Sequence, residues 1–504
     1  MCKIKFLTVV FIIVIISIVG CNKVDKLEEP KIVPLVKIGD ITISKDEFIR
    51  RSEYTIRPIY AKGNLNIHKK IILNSLIAEK LMALEVNEDS LFQNNENLNN
   101  YITGRKNQAI RQMHYYNIGT KQVKIDSHEI ARIYDKAGRK YQVVFLNMPS
   151  VKLAEEFLKF IKVEGVSFRD GVIEITGEDK LPIQEISYDN VEIPEIHEIL
   201  FNSDIDKNQI YGPIKTLAGS SILFQVVTWK DTKVITDEQV KLRYSDVSEK
   251  VTRLEADKIY SEYVYELMSG RKMDFNRDTF IRLATLYGKL YSITNKNNKE
   301  MLNKEMWGKD ADFQEIDTLQ QGFEDLKNAR LFSLDGENWT VEMFQQELNT
   351  HPLVFRKDDI KGSEFPAQFR FAIADLIRDK FITEDAYQKG YGDLNSVQTY
   401  TNMWQDNVTS QFYRDKYLHE NNFDGNFSAD YMKAINQHLN ILTDSLQAKY
   451  SHQIYIDTDL FNDIQLTNID LFAMQNNVPY PVVVPNFPIL TNDNKLDYGN
   501  KIKD

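Results

Sequence analysis

Histidine, cysteine, paired carboxylates and glycine-flanked serine do most protein chemistry, and their placement in this chain leaves little of it available. The eight histidines (His68, His114, His128, His197, His351, His419, His438, His452) are scattered. None stands in an HExxH run or at the short spacing that brings two imidazoles onto one zinc ion. Asp204-Ile205-Asp206-Lys207-Asn208 opens like a calcium loop. Such a loop needs glycine at its sixth position and glutamate at its twelfth, where this chain has Gln209 and Lys215. Gly219-Ser220-Ser221 lacks the second glycine of a nucleophile elbow, and no glycine-rich phosphate loop occurs. No metal and no cofactor is expected.

Both of the chain's cysteines sit near the amino terminus. Cys21 closes an apolar run, FLTVVFIIVIISIVGC from Phe6, that follows Lys3 and Lys5. A charged start and an apolar stretch too short for a comfortable membrane span describe an export signal. Its ending, Ile18-Val19-Gly20-Cys21, resembles a bacterial lipobox, in which the signal is cut before a cysteine that carries diacylglycerol. Gly20 supplies the small residue that the peptidase requires before the cut. On this reading residues 1–21 are signal peptide and lipobox, and Cys21 is the lipid attachment site. No thiol is left for disulfides, nucleophilic attack or metal binding. Acyl chains add about 0.8 kcal/mol per buried methylene, so two or more anchor stably. The protein is expected in the cell envelope, lipid-anchored and facing the periplasm or exterior.

The 504 residues carry a formal charge of −11, and losing Lys3 and Lys5 makes the mature chain more acidic still. With no basic block, neither nucleic acid nor electrostatic adhesion to anionic lipid is expected. At 42% hydrophobic content the chain can bury its own core, in two or three domains.

Residues 22–35 are charged and proline-bounded, a tether. From Val36, VKIGDITIS reads as strand, Gly39-Asp40 turn and strand, ending at Ser44. Ser44-Lys45-Asp46-Glu47 is a capping box: the serine oxygen takes a free amide and Glu47 reaches back to the serine amide. A helix with Phe48 and Ile49 follows. His68 to Val86 places Ile72, Leu73, Leu76, Ile77, Leu81 and Leu84 at helical spacing. Further helices are expected over about 97–116 and 127–135, and a long one within 237–270.

The opening pattern recurs. FSLDGENWTVEMFQQEL from Phe332 is again strand, Asp335-Gly336 turn, strand, Thr340 cap and helix. Ser44 corresponds to Thr340 and Phe48 to Phe344. Leu76-Ile77-Ala78-Glu79-Lys80-Leu81 matches Leu376-Ile377-Arg378-Asp379-Lys380-Phe381, and Tyr101 to His114 aligns without gaps on Tyr400 to Tyr413. Residues 36–136 and 332–440 therefore read as an internal duplication. Residues 276–331 are a mainly helical connector, and the second copy continues to about 475. The tail, 476–504, carries Pro479, Pro481, Pro485 and Pro488 and reads as an extended strap or disordered.

The opening, the LIxEKL helix and the helix ending in Tyr115-Tyr116 resemble the amino-terminal chaperone region of exported SurA/PrsA-type foldases. Those proteins carry a parvulin-type (PpiC-type) peptidyl-prolyl isomerase domain next, and residues 137–231 resemble one. Lys140 to Leu146 would be its first strand and Lys152 to Ile161 its first helix. IPEIHEILF (Ile193 to Phe201), Tyr211-Gly212-Pro213-Ile214-Lys215-Thr216 and Gly219-Ser220-Ser221-Ile222-Leu223 are similar to the family's VPEFEDAAF…SGPVKT…GYHII. The resemblance implies a mainly α fold with an α+β parvulin-like domain and two SurA-like helical chaperone modules. Apolar steps of three and four residues within 237–270 read as a long closing helix, 232–275, and no parvulin-like segment follows the second copy, 332–475.

The family's pocket holds two histidines, and here those positions read Val144 and Ser221. Rotating a prolyl amide disturbs amide resonance, whose barrier is about 18–20 kcal/mol. Without the polar pair the domain is expected to be degenerate and catalytically silent, with Ile193, Ile196, Phe201, Ile222 and Leu223 keeping its packing. The reading is a lipid-anchored chaperone for unfolded or nascent exported polypeptides. An active peptidyl-prolyl isomerase is one alternative, and a structural lipoprotein of an envelope assembly is the other.

Overall fold

A computed structural model describes residues 32–86, 94–177, 183–190, 193–216, 220–307, 314–357 and 359–496, the side chains of 294–307 and 314–318 excepted. The lipobox with Cys21, and all of the tether before Ile32, lie outside the described residues. None of the described helices is long and apolar enough to cross a membrane.

The chain opens with β1 (Pro34–Ile38), β2 (Ile41–Ser44) and α1 (Lys45–Glu53). Then come α2 (Asn66–Val86), α3 (Glu96–Ile118) and α4 (Ser127–Ala137). A mixed segment follows: β3 (Arg139–Met148), α5 (Val151–Glu164), α6 (Phe168–Thr176), β4 (Gln184–Ile186), α7 (Pro194–Asn202), β5 (Ile210–Lys215) and β6 (Ser221–Asp231). The 32-residue α8 (Asp237–Met268) leads to β7 (Met273–Phe275), α9 (Arg277–Trp307) and α10 (Gln314–Glu324). Next are β8 (Arg330–Leu334), β9 (Glu337–Thr340), α11 (Val341–Leu348), α12 (Phe365–Gln388) and α13 (Asn395–Glu420). The chain finishes with α14 (Phe427–Ala434), α15 (Asn440–Tyr450), β10 (Ile454–Ile456) and α16 (Thr458–Asp463), then an extended tail. Among the described residues it is mainly helical, with three small antiparallel sheets.

Two compact units divide the chain. One holds the residues up to Lys106, Gly392–Asn476 and Tyr480 onward; the other holds Asn107–Tyr391 with Asn477–Pro479. Each of the segments 36–136 and 332–475 is thus shared between the two units.

In the first unit the sheet order is β10-β1-β2, with Val36 opposite Ile456 on one side and Ile43 on the other. Ser44 caps α1, accepting from the Glu47 amide at 3.0 Å. The reciprocal half of the expected box is replaced: Glu47 Oε1 accepts from Lys80 Nζ at 2.8 Å, because a buried ammonium needs that carboxylate more than an amide does. α2 is buried nearly all round, against the sheet, α13 and α15. The tail crosses this unit with Tyr480, Val484, Phe487, Leu490 and Leu496 buried. Arg105 fixes it, stacking 3.4 Å over the Trp404 ring and donating to the Val482 carbonyl at 2.9 Å.

The second unit contains two sheets. In the β4-β3-β6-β5 sheet, alternation sends successive side chains to opposite faces. Val144, Leu146, Met148 and Leu223 pack under α5 and α6 with Phe157, Ile161 and Phe168. Tyr141, Val143, Phe224 and Val226 pack the other way, against α4, α7 and α8. The second sheet, β7-β8-β9, repeats the β1-β2 plan down to a register shift one residue into the strand pair. Its turn residues Asp335 and Gly336 both have positive φ, +52° and +92°, the geometry that suits a tight hairpin. Thr340 caps α11 by accepting from the Met343 amide, and Phe344 is wholly buried, as is Phe48 in the helix that Ser44 caps.

Candidate functional site

Val144 and Ser221 do not form a site. Val144 lies opposite Gln225 and Ser221 opposite Met148, so four rungs of the β3–β6 ladder separate them. At about 3.4 Å per residue that is roughly 13 Å along the strands. Both face α5 and α6, Val144 is packed into that apolar core, and the buried Ser221 hydroxyl has no hydrogen-bond partner among the described residues. Asp204 to Lys215 runs into β5, and Asp204 pairs with Lys136 at 2.9 Å. Among the described residues no three His, Cys, Asp or Glu side chains converge as metal ligands. Three of the histidines pair within helical packing. His351 Nε2 is 3.1 Å from Asp379, His114 Nε2 is 2.7 Å from Asp385, and His197 stacks among Tyr188 and Phe201.

Two features in the first unit were not legible as a site from sequence. The loop after α1 exposes Ile56, Ile59 and Leu65, Ile59 to 87%, and the first turn of α2 adds Ile67. The stretch before the tail exposes Ile469, Leu471, Phe472 and Met474. These two segments lie side by side. The Leu471 amide donates to the Glu53 carbonyl at 2.7 Å, and the Thr467 amide to the Glu53 carboxylate at 2.7 Å. Between them, Arg57 Nε donates to Asp470 at 2.6 Å, with the Arg57 side chain fully buried. Its other nitrogens bond the Gly63 and Thr467 carbonyls. A buried, fully engaged arginine thus holds two irregular segments in place while their large apolar side chains face solvent. Clustered exposed apolar groups are the usual mark of an interaction surface. In sequence these residues have no helical or strand period, so nothing set them apart from ordinary loop.

The second unit has a groove of about 570 Å³ between α3, α8 and α12, lined on one side by Val478 and Pro479. Tyr115, Tyr260, Val264, Tyr265 and Met268 form its walls. Asp379 lies at its floor, 2.7 Å from Arg378 and 3.7 Å from Arg111. Burial works to raise the Asp379 carboxyl, but His351, Arg378 and Arg111 outweigh it and hold it well below the ordinary carboxylate range. Further along α12, Asp385 takes hydrogen bonds from Tyr263 at 2.7 Å and Lys389 at 2.6 Å beside His114. Burial lowers the His114 pKa despite that carboxylate, and burial together with Lys250 and Arg253 pushes His197 down to about 4. The Tyr260 hydroxyl is 2.9 Å from His114 Nδ1, so tyrosine, imidazole and the Asp385 carboxylate are hydrogen-bonded in series. Burial holds the tyrosine in its protonated form and lowers the imidazole pKa. The aromatic and apolar lining of the groove suits binding.

Compared with known proteins, the chain matches no family model, no curated protein and no solved structure.

Proposed function

We propose that the protein is an extracytoplasmic chaperone, lipid-anchored through Cys21, that binds unfolded exported polypeptides without ATP or any cofactor. The observation that carries this reading is the pair of exposed apolar segments held by Arg57 and Asp470. Ile, Leu, Met and Phe side chains on irregular backbone can adapt to varied apolar sequences, as a client-tolerant surface requires. The SurA/PrsA-type resemblance supports the same class. The order strand, two helices, strand, helix, strand, strand over 139–231, with the first and last strands central, agrees with the parvulin-like reading of that segment. The burial of Val144 beneath α5 supports reading that domain as scaffold without isomerase activity.

The test is light scattering by a chemically unfolded outer-membrane or secreted protein diluted into buffer with the mature chain. Suppressed aggregation at near-equimolar chaperone is expected. Unchanged aggregation would favour a structural lipoprotein.

A further inference from the structure

We propose that the tyrosine-lined groove of the second unit docks extended polypeptide segments that carry an aliphatic–proline pair. The chain's own Val478–Pro479 occupies one end of it as a built-in ligand.

The groove already holds a proline segment of this chain. Asn477–Pro479 is the one stretch beyond Tyr391 that joins this unit. Asn477 has φ +57°, a turn conformation, and delivers Val478 half-buried and Pro479 buried against the groove. A proline segment is already extended and loses little freedom on binding, which is why such segments favour aromatic-lined grooves. The walls are of that kind, lined by the rings of Tyr115, Tyr260 and Tyr265, with the first two hydroxyls engaged by Asp257 and His114. Beside the tip the groove remains open, and Tyr265 there is 76% exposed, a large aromatic face with solvent on it. The cations at the floor, Arg111 and Arg378, are engaged by Asp379. The groove therefore selects by shape and ring contact, and an acidic peptide gains no advantage. This inference rests on the reading of the protein as a polypeptide binder and adds which sequences one part of it takes.

The probe is a fluorescent peptide of residues 474–480, MQNNVPY, with a twin in which the proline is alanine. Both are titrated by anisotropy into the mature chain and into a chain opened by Val478→Gly with Pro479→Gly. The opened chain should bind the proline peptide at least five-fold more tightly than wild type, and the twin at least five-fold more weakly. Tyr265→Ser in the opened chain should cost another five-fold. Val264→Asp is a second wall variant, and circular dichroism checks the fold of each. Equal binding of the two peptides, no gain on opening, or indifference to both wall variants would overturn the proposal. The same preparations enter the aggregation assay. Suppression without proline-dependent binding overturns the groove alone, and proline-dependent binding without suppression overturns the chaperone reading alone.

Discussion

Arg51 and Glu79 meet as a bidentate pair, Nη1 to Oε1 and Nη2 to Oε2 both at 2.8 Å, with neither side chain exposed. Beside them Lys80 binds Glu47 and Asp406 at 2.8 and 2.9 Å, and Asn407 donates to Glu79. In the second unit the corresponding helix positions, Asp379 and Lys380, are also paired, with His351 and Glu347. The partners come from one helical turn further along. Lys80 is met three residues after the cap Ser44, whereas Lys380 is met seven residues after the cap Thr340. The charged positions on the second helix recur while the residues that neutralise them shift by a turn.

Removing one member of the buried pair strands the other. Arg51→Ala should cost about 3–5 kcal/mol, while the double change Arg51→Met with Glu79→Leu should recover most of it. Urea unfolding of the three chains measures this. A mild single variant would mean that water reaches Glu79.

Acid should destabilise the protein in two steps. Burial, with Lys250 and Arg253, holds His197 down to about 4, so the folded state resists a proton that the unfolded chain accepts near pH 6.5. That stability is present above pH 6.5 and is lost as pH falls toward 4. Burial acts to raise Glu79, but Arg51, Lys80 and Asn407 keep it below its ordinary value, so its contribution is lost below about pH 4.3. Urea midpoints across pH 7 to 4 should fall, and His197→Leu should flatten the upper part of that decline. A flat profile in the wild type contradicts the burial of His197.

Much of the helical scaffold was legible because periodicity and caps are local. Ser44, Thr340 and Asp335-Gly336 each act within one turn or hairpin, and each stands where its spacing placed it. The helix expected from Ile72 to Leu84 also forms, but burial extends nearly all round it instead of along one face. Glu47 was misread because its partner, Lys80, is distant in sequence, and the cap competes with a buried ammonium. The exposed segments around Ile59 and Phe472 have no period, and only the fold brings them together through Arg57 and Asp470. Sequence alone also gave no sign that β10, from the far end of the chain, would complete the β1-β2 sheet.

Cys21→Ala should abolish acylation and release the protein from membranes, measured by palmitate labelling and fractionation. Labelling that persists in this variant contradicts the lipobox reading.

A protease-coupled proline-peptide assay should show the background rate, because buried Val144 and Ser221 provide no polar pair. Uncatalysed exchange takes roughly tens to hundreds of seconds, so even weak catalysis is measurable. A rate several-fold above background, lost on changing Ser221, would return the protein to the enzymes.

The most direct measurement is site-specific photo-crosslinking to a defined unfolded client. A photoreactive residue replaces Ile59 or Phe472 in the mature chain, and another replaces Lys433, a solvent-facing control in the same unit. Crosslinks are expected from Ile59 and Phe472, lost when the client is folded, and absent from Lys433. Equal crosslinking from all three positions, or none from Ile59 and Phe472, would contradict client binding at this surface.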